Sequence, residues 1–159
     1  MAVWRNYQPG RCFLGRLTGN EDLIQAVIDL GEKERIATAS VSISGRVSRL
    51  TVGTYDPTQQ VYITRTEERA MEIVSCRGLL TTEGERPFFH AHILLADVNT
   101  VVGGRLFSET LAADAECIVS ELLGPGTHRV YDPRTGQIAL TFHQNAPETG
   151  RPDPAVRNT

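Results

Sequence analysis

Apolar residues alternate with polar ones along most of this chain, and one segment near the N-terminus keeps helical spacing instead. Arg11 to Leu17 sets Cys12, Leu14 and Leu17 against Arg11 and Arg16, an imperfect period of two that predicts a strand. Leu23, Ala26, Val27 and Leu30 then recur at three- and four-residue spacing. They predict a helix with Asn20 as N-cap, Glu21 and Asp22 at the positive end of its dipole, and Gly31 near its end. From Ile36 the alternation returns, with Val41 and Ile43 before Gly45 and Val47, Leu50 and Val52 after it. This predicts two strands joined at a bend near Gly45 and stopped by Asp56-Pro57. Val61 and Ile63 mark another strand, and Met71, Ile73 and Val74 a further one that runs to a turn at Glu83-Gly84-Glu85. Ala112 to Leu123 satisfies both templates: Ala115, Ile118, Val119 and Leu122 suit a helix, Cys117 and Val119 a strand. Arg129 to Tyr131 and Gln137 to Phe142 flank Asp132-Pro133-Arg134-Thr135-Gly136 as a hairpin.

With 159 residues and 40% hydrophobic content, the chain suits one domain with a real core. The expected organisation is an N-terminal arm over 1–9, a domain over 10–143 and a Pro-rich tail over 144–159 carrying Pro147, Pro152 and Pro154. The net charge of −3 provides no global positive field for phosphate backbones, so any nucleic-acid surface has to be local. Lys33 is the only lysine; the remaining cations are arginines. No charged leader followed by an apolar run opens the sequence, and no apolar stretch nears the roughly 20 residues that span a bilayer. A soluble, cytoplasmic protein without a membrane partner is expected. Cys12, Cys76 and Cys117 are odd in number and widely spaced, which predicts reduced and mostly buried thiols rather than a disulfide scaffold.

The segment Pro87 to Phe107, PFFHAHILLADVNTVVGGRLF, carries the most chemistry. In a strand, His90 and His92 share one face and Ala91 takes the other, so two imidazoles stand side by side. They could begin a metal site if Cys76, a carboxylate or water completed it. Cys76 and His90 on adjacent strands could also form a nucleophile pair, although nothing signals an activated thiol. Ser40, Ser42 and Ser44 alternate with apolar neighbours as the polar face of a strand, and no Gly-X-Ser-X-Gly occurs. Glu67-Glu68-Arg69 reads as a solvated turn, and Asp114, Glu116 and Glu121 as structural charges.

The order of these elements resembles the PPC domain, the plants-and-prokaryotes-conserved domain that stands alone in prokaryotes and is joined to AT-hooks in plants. The matching residues run from Arg16-Leu17 and Asn20-Glu21-Asp22-Leu23 through Ser44-Gly45 and Gly53-Thr54-Tyr55-Asp56. They continue in Glu72-Ile73-Val74-Ser75-Cys76-Arg77-Gly78, in Phe89-His90-Ala91-His92-Ile93 with Asp97 and Val101-Val102-Gly103-Gly104, and in Ala115-Glu116 with Ile118-Val119. The resemblance covers roughly residues 10 to 143 and implies an α+β fold, a mainly antiparallel sheet with one principal helix packed on it, assembled as a homotrimer. It also makes Ala112 to Leu123 a strand.

Some relatives carry a third histidine after Gly-Gly, which with His-X-His could hold zinc. Here Arg105 stands in that place, and a guanidinium repels a divalent cation. The same residue could bind a carboxylate or phosphate beside His90, His92 and the Gly103-Gly104 backbone. In the purely structural alternative, Arg105 pairs with Asp97 or Glu116. The plant AT-hook has no counterpart, since Thr149-Gly150-Arg151-Pro152 lacks its first arginine and a basic flank.

Two function classes follow. One is a non-catalytic trimeric module for DNA binding, regulation or assembly, with DNA or protein partners, for which an arginine-rich face of Arg46, Arg49, Arg65 or Arg129 would speak. The other is a small-anion or metal-binding protein, conceivably an undescribed enzyme, with an intersubunit site at His90, His92 and Arg105.

Overall fold

The computed structural model describes residues 2–142. The C-terminal tail and its Thr149-to-Pro152 half-motif lie outside the described residues. Among the described residues, β1 (Gln8–Asp22) is followed by the single helix α1 (Leu23–Glu34), and after it come only strands. These are β2 (Ala39–Asp56), β3 (Val61–Glu67), β4 (Met71–Glu83), β5 (Arg86–Ala96), β6 (Val101–Leu106), β7 (Leu111–Leu123), β8 (Thr127–Asp132) and β9 (Gln137–Phe142). All ladders are antiparallel except a single parallel pairing of Thr82 on β4 with His128 on β8. The α+β architecture is therefore the one the resemblance implied, and Ala112 to Leu123 is a strand.

Two local expectations are corrected. Gly19 and Asn20 both adopt positive φ inside a bulge of β1, so the helix begins two residues later than Asn20 would start it. Asp22 is the N-cap, its Oδ1 accepting from the Ile24 and Gln25 amides at 2.9 and 3.0 Å. The helix also runs past Gly31 to Glu34, and Arg35 closes it in the left-handed conformation. Gly31 is a contact point: a Cβ there would come within 2.9 Å of a Leu80 methyl, so its absence lets α1 lie close on β4.

The second correction concerns Gly45, which does not divide two strands. β2 is one 18-residue strand that absorbs the bend through bulges around Gly45 and Val47, with Gly45 at φ 117° against the backbone of β7. The bend lets β2 serve twice. Its first half lies between β7 and β4, and its second half pairs with β3 and, through Val52 and Gly53, with β6. Because β4, β5 and β6 are also paired in series, β2, β4, β5 and β6 close into a ring of strands.

The inner face of that ring, with α1 over it, is the core. Val41, Ile43, Val47, Leu50, Ile73, Cys76, Ile93 and Leu95 are all buried there with Leu23 and Val27 of α1. The alternating residues Ser40, Ser42 and Ser44 face outward, as the sequence predicts. β1 covers β7, and Arg11 fastens the pair through Glu121 at 2.8 Å while reaching Glu34 of α1 at 3.1 Å. The thiols are mostly buried, as the sequence predicts. Cys76 and Cys117 are buried, but Cys12 faces outward on edge strand β1 and is exposed. Among the described residues no helix is long and apolar enough to cross a membrane.

Candidate anion-binding site

β5 buries Phe89, Ala91 and Ile93 in the core, which forces His90 and His92 onto the outer face. Their rings meet edge to face with centroids 5.4 Å apart. Ladder register then lines up a row of residues across the ring. Arg77 of β4 is opposite His92, His92 opposite Arg105 of β6, and Arg105 opposite Gly53 of β2. The sequence-predicted trio of His90, His92 and Arg105 is thus brought together.

Arg105 does not pair with Asp97 or Glu116. Asp97 is taken by Arg69, and Glu116 lies on β7 opposite Arg16 and Ser44. The guanidinium of Arg105 lies instead over two aromatic rings, 4.8 Å from the centroid of Tyr62 and 5.0 Å from that of Phe107. Such stacking holds the cation in place without neutralising it. Its Nε is buried with no hydrogen-bond partner.

The neighbouring glycines have a visible packing role. A Cβ on Gly104 would stand 2.5 Å from the Gly53 carbonyl oxygen, so the close passage of β6 over β2 requires glycine at this position. Gly103 is exposed across from Leu94, where an added Cβ would meet the Leu94 methyl at 3.0 Å and the Ile93 carbonyl oxygen at 3.3 Å.

A residue that the motif did not contain joins the site. The β8–β9 hairpin is tied to β4 at one end by the Thr82–His128 pairing and by the Thr82 hydroxyl donating to the Thr127 carbonyl at 3.3 Å. At its tip, Tyr55 donates to the Thr135 carbonyl and Gln60 to the Arg134 carbonyl, so the tip sits on the β2–β3 turn. Held at Thr82 on β4 and at the β2–β3 turn, the hairpin runs over the outer face of the ring between these two points. The hairpin therefore spans the strands that carry His90 and Arg105.

From it comes Arg129, only 9% exposed, with its Nε unpartnered. Burial holds its pKa below the usual guanidinium value, and the charge of Arg105 lowers it further. His90 registers both arginines. Burial first, then the charges of Arg129, Arg105 and His92, push the imidazole down to about 4, so it is neutral at neutral pH.

No carboxylate forms an ion pair with Arg105 or Arg129 among the described residues. Arg11, Arg16, Arg49, Arg65, Arg69 and Arg134 all form ion pairs with acidic side chains. Of the four arginines expected for a nucleic-acid face, Arg49 and Arg65 are neutralised in this way, and Arg46 lies near enough to Asp114 to help lower its pKa.

The residues present do not fit a metal. The two imidazoles have two guanidinium cations as neighbours, and no group of three or more metal-binding side chains exists among the described residues. Cys76 cannot complete a set, because it pairs with Ile93 on the core face, opposite to the histidines. Burial also pushes its thiol up to about 12, which removes the Cys76–His90 nucleophile pair as well.

Comparison with solved structures places the fold among known proteins. A metal-containing protein from Archaeoglobus fulgidus is 30% identical, with 89% of this chain and 99% of that one covered and a TM-score of 0.83. A plant- and prokaryote-conserved (PPC) protein from Pyrococcus horikoshii is 25% identical over 91% of this chain and 99% of that one, with a TM-score of 0.81. A candidate DNA-binding protein from Ralstonia eutropha is also 25% identical, over 80% and 89% of the two chains, with a TM-score of 0.72. None of the curated proteins compared with the chain matches it. The family model of the Plants and Prokaryotes Conserved domain, abbreviated PCC or PPC, matches residues 5–123, and with the ring of strands, the single helix and the His-X-His strand in their expected order, the chain belongs to that family.

Proposed function

We propose that this protein is a non-catalytic binding module whose ligand is a small oxyanion, a carboxylate or phosphate group, held by Arg105 with His90 and His92 beside it. The observation that carries this reading is the state of Arg105. It is a cation fixed over two aromatic rings, with a buried unpartnered N–H and, among the described residues, no carboxylate ion-paired with it. A guanidinium presents forked donors that match two oxygens of one anion, and an anion would satisfy what the protein leaves open. A neutral His90 contributes one donor and one acceptor at the rim. Gly103, exposed next to this row, leaves room for a ligand to approach the backbone.

The module is proposed to act as a homotrimer with the site at the subunit boundary. Support comes from Ile63, Leu94 and Val101, which are 58%, 39% and 66% exposed near the row that holds Arg105. Sedimentation tests this assembly, and a monomer at micromolar concentration overturns it. A second reading, DNA binding, draws on the likeness to the Ralstonia eutropha protein. The ion pairing of Arg49 and Arg65 with carboxylates, and the closeness of Arg46 to Asp114, work against it. Calorimetric titration of the purified protein with sodium phosphate and with sodium acetate is the direct experiment. Saturable binding that falls about tenfold or more in Arg105→Gln supports the proposal, and unchanged binding in that variant ends it.

A further inference from the structure

We infer that Arg129 is the second arm of a two-guanidinium clamp, and that the clamp selects a doubly charged oxyanion of the phosphoryl type over singly charged carboxylates. This rests on the anion reading of Arg105 and goes beyond it by adding a residue and a ligand class. Arg129 lies outside the residues that the family model matches, on a hairpin that spans the outer face of the ring. It is 9% exposed with an unpartnered Nε, a condition rarely tolerated for a guanidinium without a counter-ion.

Its location follows from the hairpin, which is tied to β4 at Thr82 and to the β2–β3 turn through the Thr135 and Arg134 carbonyls. The charges of Arg129 and Arg105 both lower the pKa of His90, in keeping with three neighbouring side chains. Two like charges gathered beside a neutral imidazole, with no carboxylate paired to either arginine among the described residues, leave a local excess of two positive charges. A monocarboxylate would neutralise one of them. A phosphate monoester or inorganic phosphate, close to −2 at pH 8, would neutralise both and offer at least three oxygens to two forks and a ring N–H. A phosphodiester carries one charge per group and fits the same pair less well.

The hairpin also explains how the second charge is held. Its two ties, at Thr82 and at the β2–β3 turn, stretch β8 across β5 and β6 and turn Arg129 inward while Val130 and Tyr131 stay exposed at 49% and 61%. This is the reverse of ordinary patterning, in which an amphipathic strand buries its apolar members.

The test is calorimetric titration at pH 8 and low salt with inorganic phosphate, glycerol phosphate, acetate and a short single-stranded DNA, each against wild type, Arg105→Gln, Arg129→Gln and Arg129→Lys. Wild type is expected to prefer the two phosphate dianions to acetate. Arg129→Gln is expected to lose about tenfold or more in phosphate affinity while acetate binding changes little, with Arg129→Lys between them. Tighter glycerol phosphate than inorganic phosphate assigns the site to a phosphorylated metabolite, and the reverse order to the free ion; both support the clamp. Phosphate binding that is lost in Arg105→Gln but unchanged in Arg129→Gln overturns the clamp and leaves the Arg105 reading standing. Absence of phosphate and acetate binding in wild type overturns both. DNA binding stronger than that of either phosphate dianion also overturns the clamp. Thermal unfolding of each variant in the same buffer distinguishes a lost ligand contact from a lost fold.

Discussion

Replacing Arg129 by methionine should make the ligand-free protein more stable. Methionine keeps an unbranched stem under the β8–β9 hairpin and removes only the guanidinium. That group is 9% exposed, its Nε has no partner, and Arg105 is a like-charged neighbour. A buried polar group left unsatisfied costs about 1–3 kcal/mol, and the apolar replacement is free of that cost. Allowing for imperfect packing of the thioether, the expected gain is about 1–2 kcal/mol, which for a chain of this size raises Tm by about 2–8 °C. The assay is thermal unfolding by circular dichroism at low ionic strength in a buffer without phosphate or sulfate, at one fixed protein concentration. Added phosphate should reverse the order, because a ligand present at 100 times its Kd stabilises the wild type by about 2.7 kcal/mol and the variant by less. A variant that melts below wild type in the anion-free buffer would refute the reasoning, since the guanidinium would then be held by stabilising contacts.

Other consequences are as direct. Gly104→Ala forces a Cβ to within 2.5 Å of the Gly53 carbonyl and should cost about 1–3 kcal/mol, whereas Gly103→Ala, which meets a movable Leu94 methyl at 3.0 Å and the Ile93 carbonyl oxygen at 3.3 Å, should unfold closer to wild type in urea. Equal midpoints for the two variants would contradict the strand crossing described. His90 is pushed down from 6.5 to about 4 in the folded protein, so the unfolded chain binds its proton first. The stability that neutral His90 contributes is therefore complete above pH 6.5 and is lost as pH falls toward 4, and His90→Gln should flatten Tm against pH in that window. With Cys12 exposed and burial pushing Cys76 and Cys117 up to about 12 and about 11, a thiol reagent at pH 8 should modify one of three cysteines in the native protein. All three should react in denaturant, and two native equivalents would show that a core thiol is accessible.

Much of this structure could be read from the sequence, because strand alternation and helix spacing are local properties. The helix was visible from Leu23, Val27 and Leu30, yet its start was misplaced, since Asn20 and Asp22 are both good caps and only tertiary pairing with β7 forces the bulge at Gly19 and Asn20. Gly45 signals a bend equally well whether a strand ends or kinks, and the outcome depends on the distant β7 backbone against which it packs. His90, His92 and Arg105 could be grouped because two of them alternate and the third follows a recognisable glycine pair. Arg129 could not be assigned to their group, because its burial comes from a hairpin tied across the sheet at two remote points. A faint signal existed: Thr127 and Arg129 share one strand face while Val130 takes the other, an inverted pattern in an otherwise ordinary hairpin.

The pairing of β1 with β7 sets an order of events at the ribosome. Residues 8–22 emerge early, but among the described residues their ladder partners are residues 111–123, so the first of these strands to be made must wait for one of the later ones. At about 5–20 residues per second, the intervening hundred or so residues take about 5–20 s to synthesise. During that interval the N-terminal strand waits with Phe13, Leu14 and Leu17 exposed, next to a helix whose apolar stripe needs the ring of strands for cover. The strands of the ring lie within residues 39–106 and can close beforehand, giving α1 a surface to dock on. The arrival of Glu121 then lets Arg11 close the β1–β7 seam, so a nascent chain stalled before that residue should present β1 to chaperones and proteases.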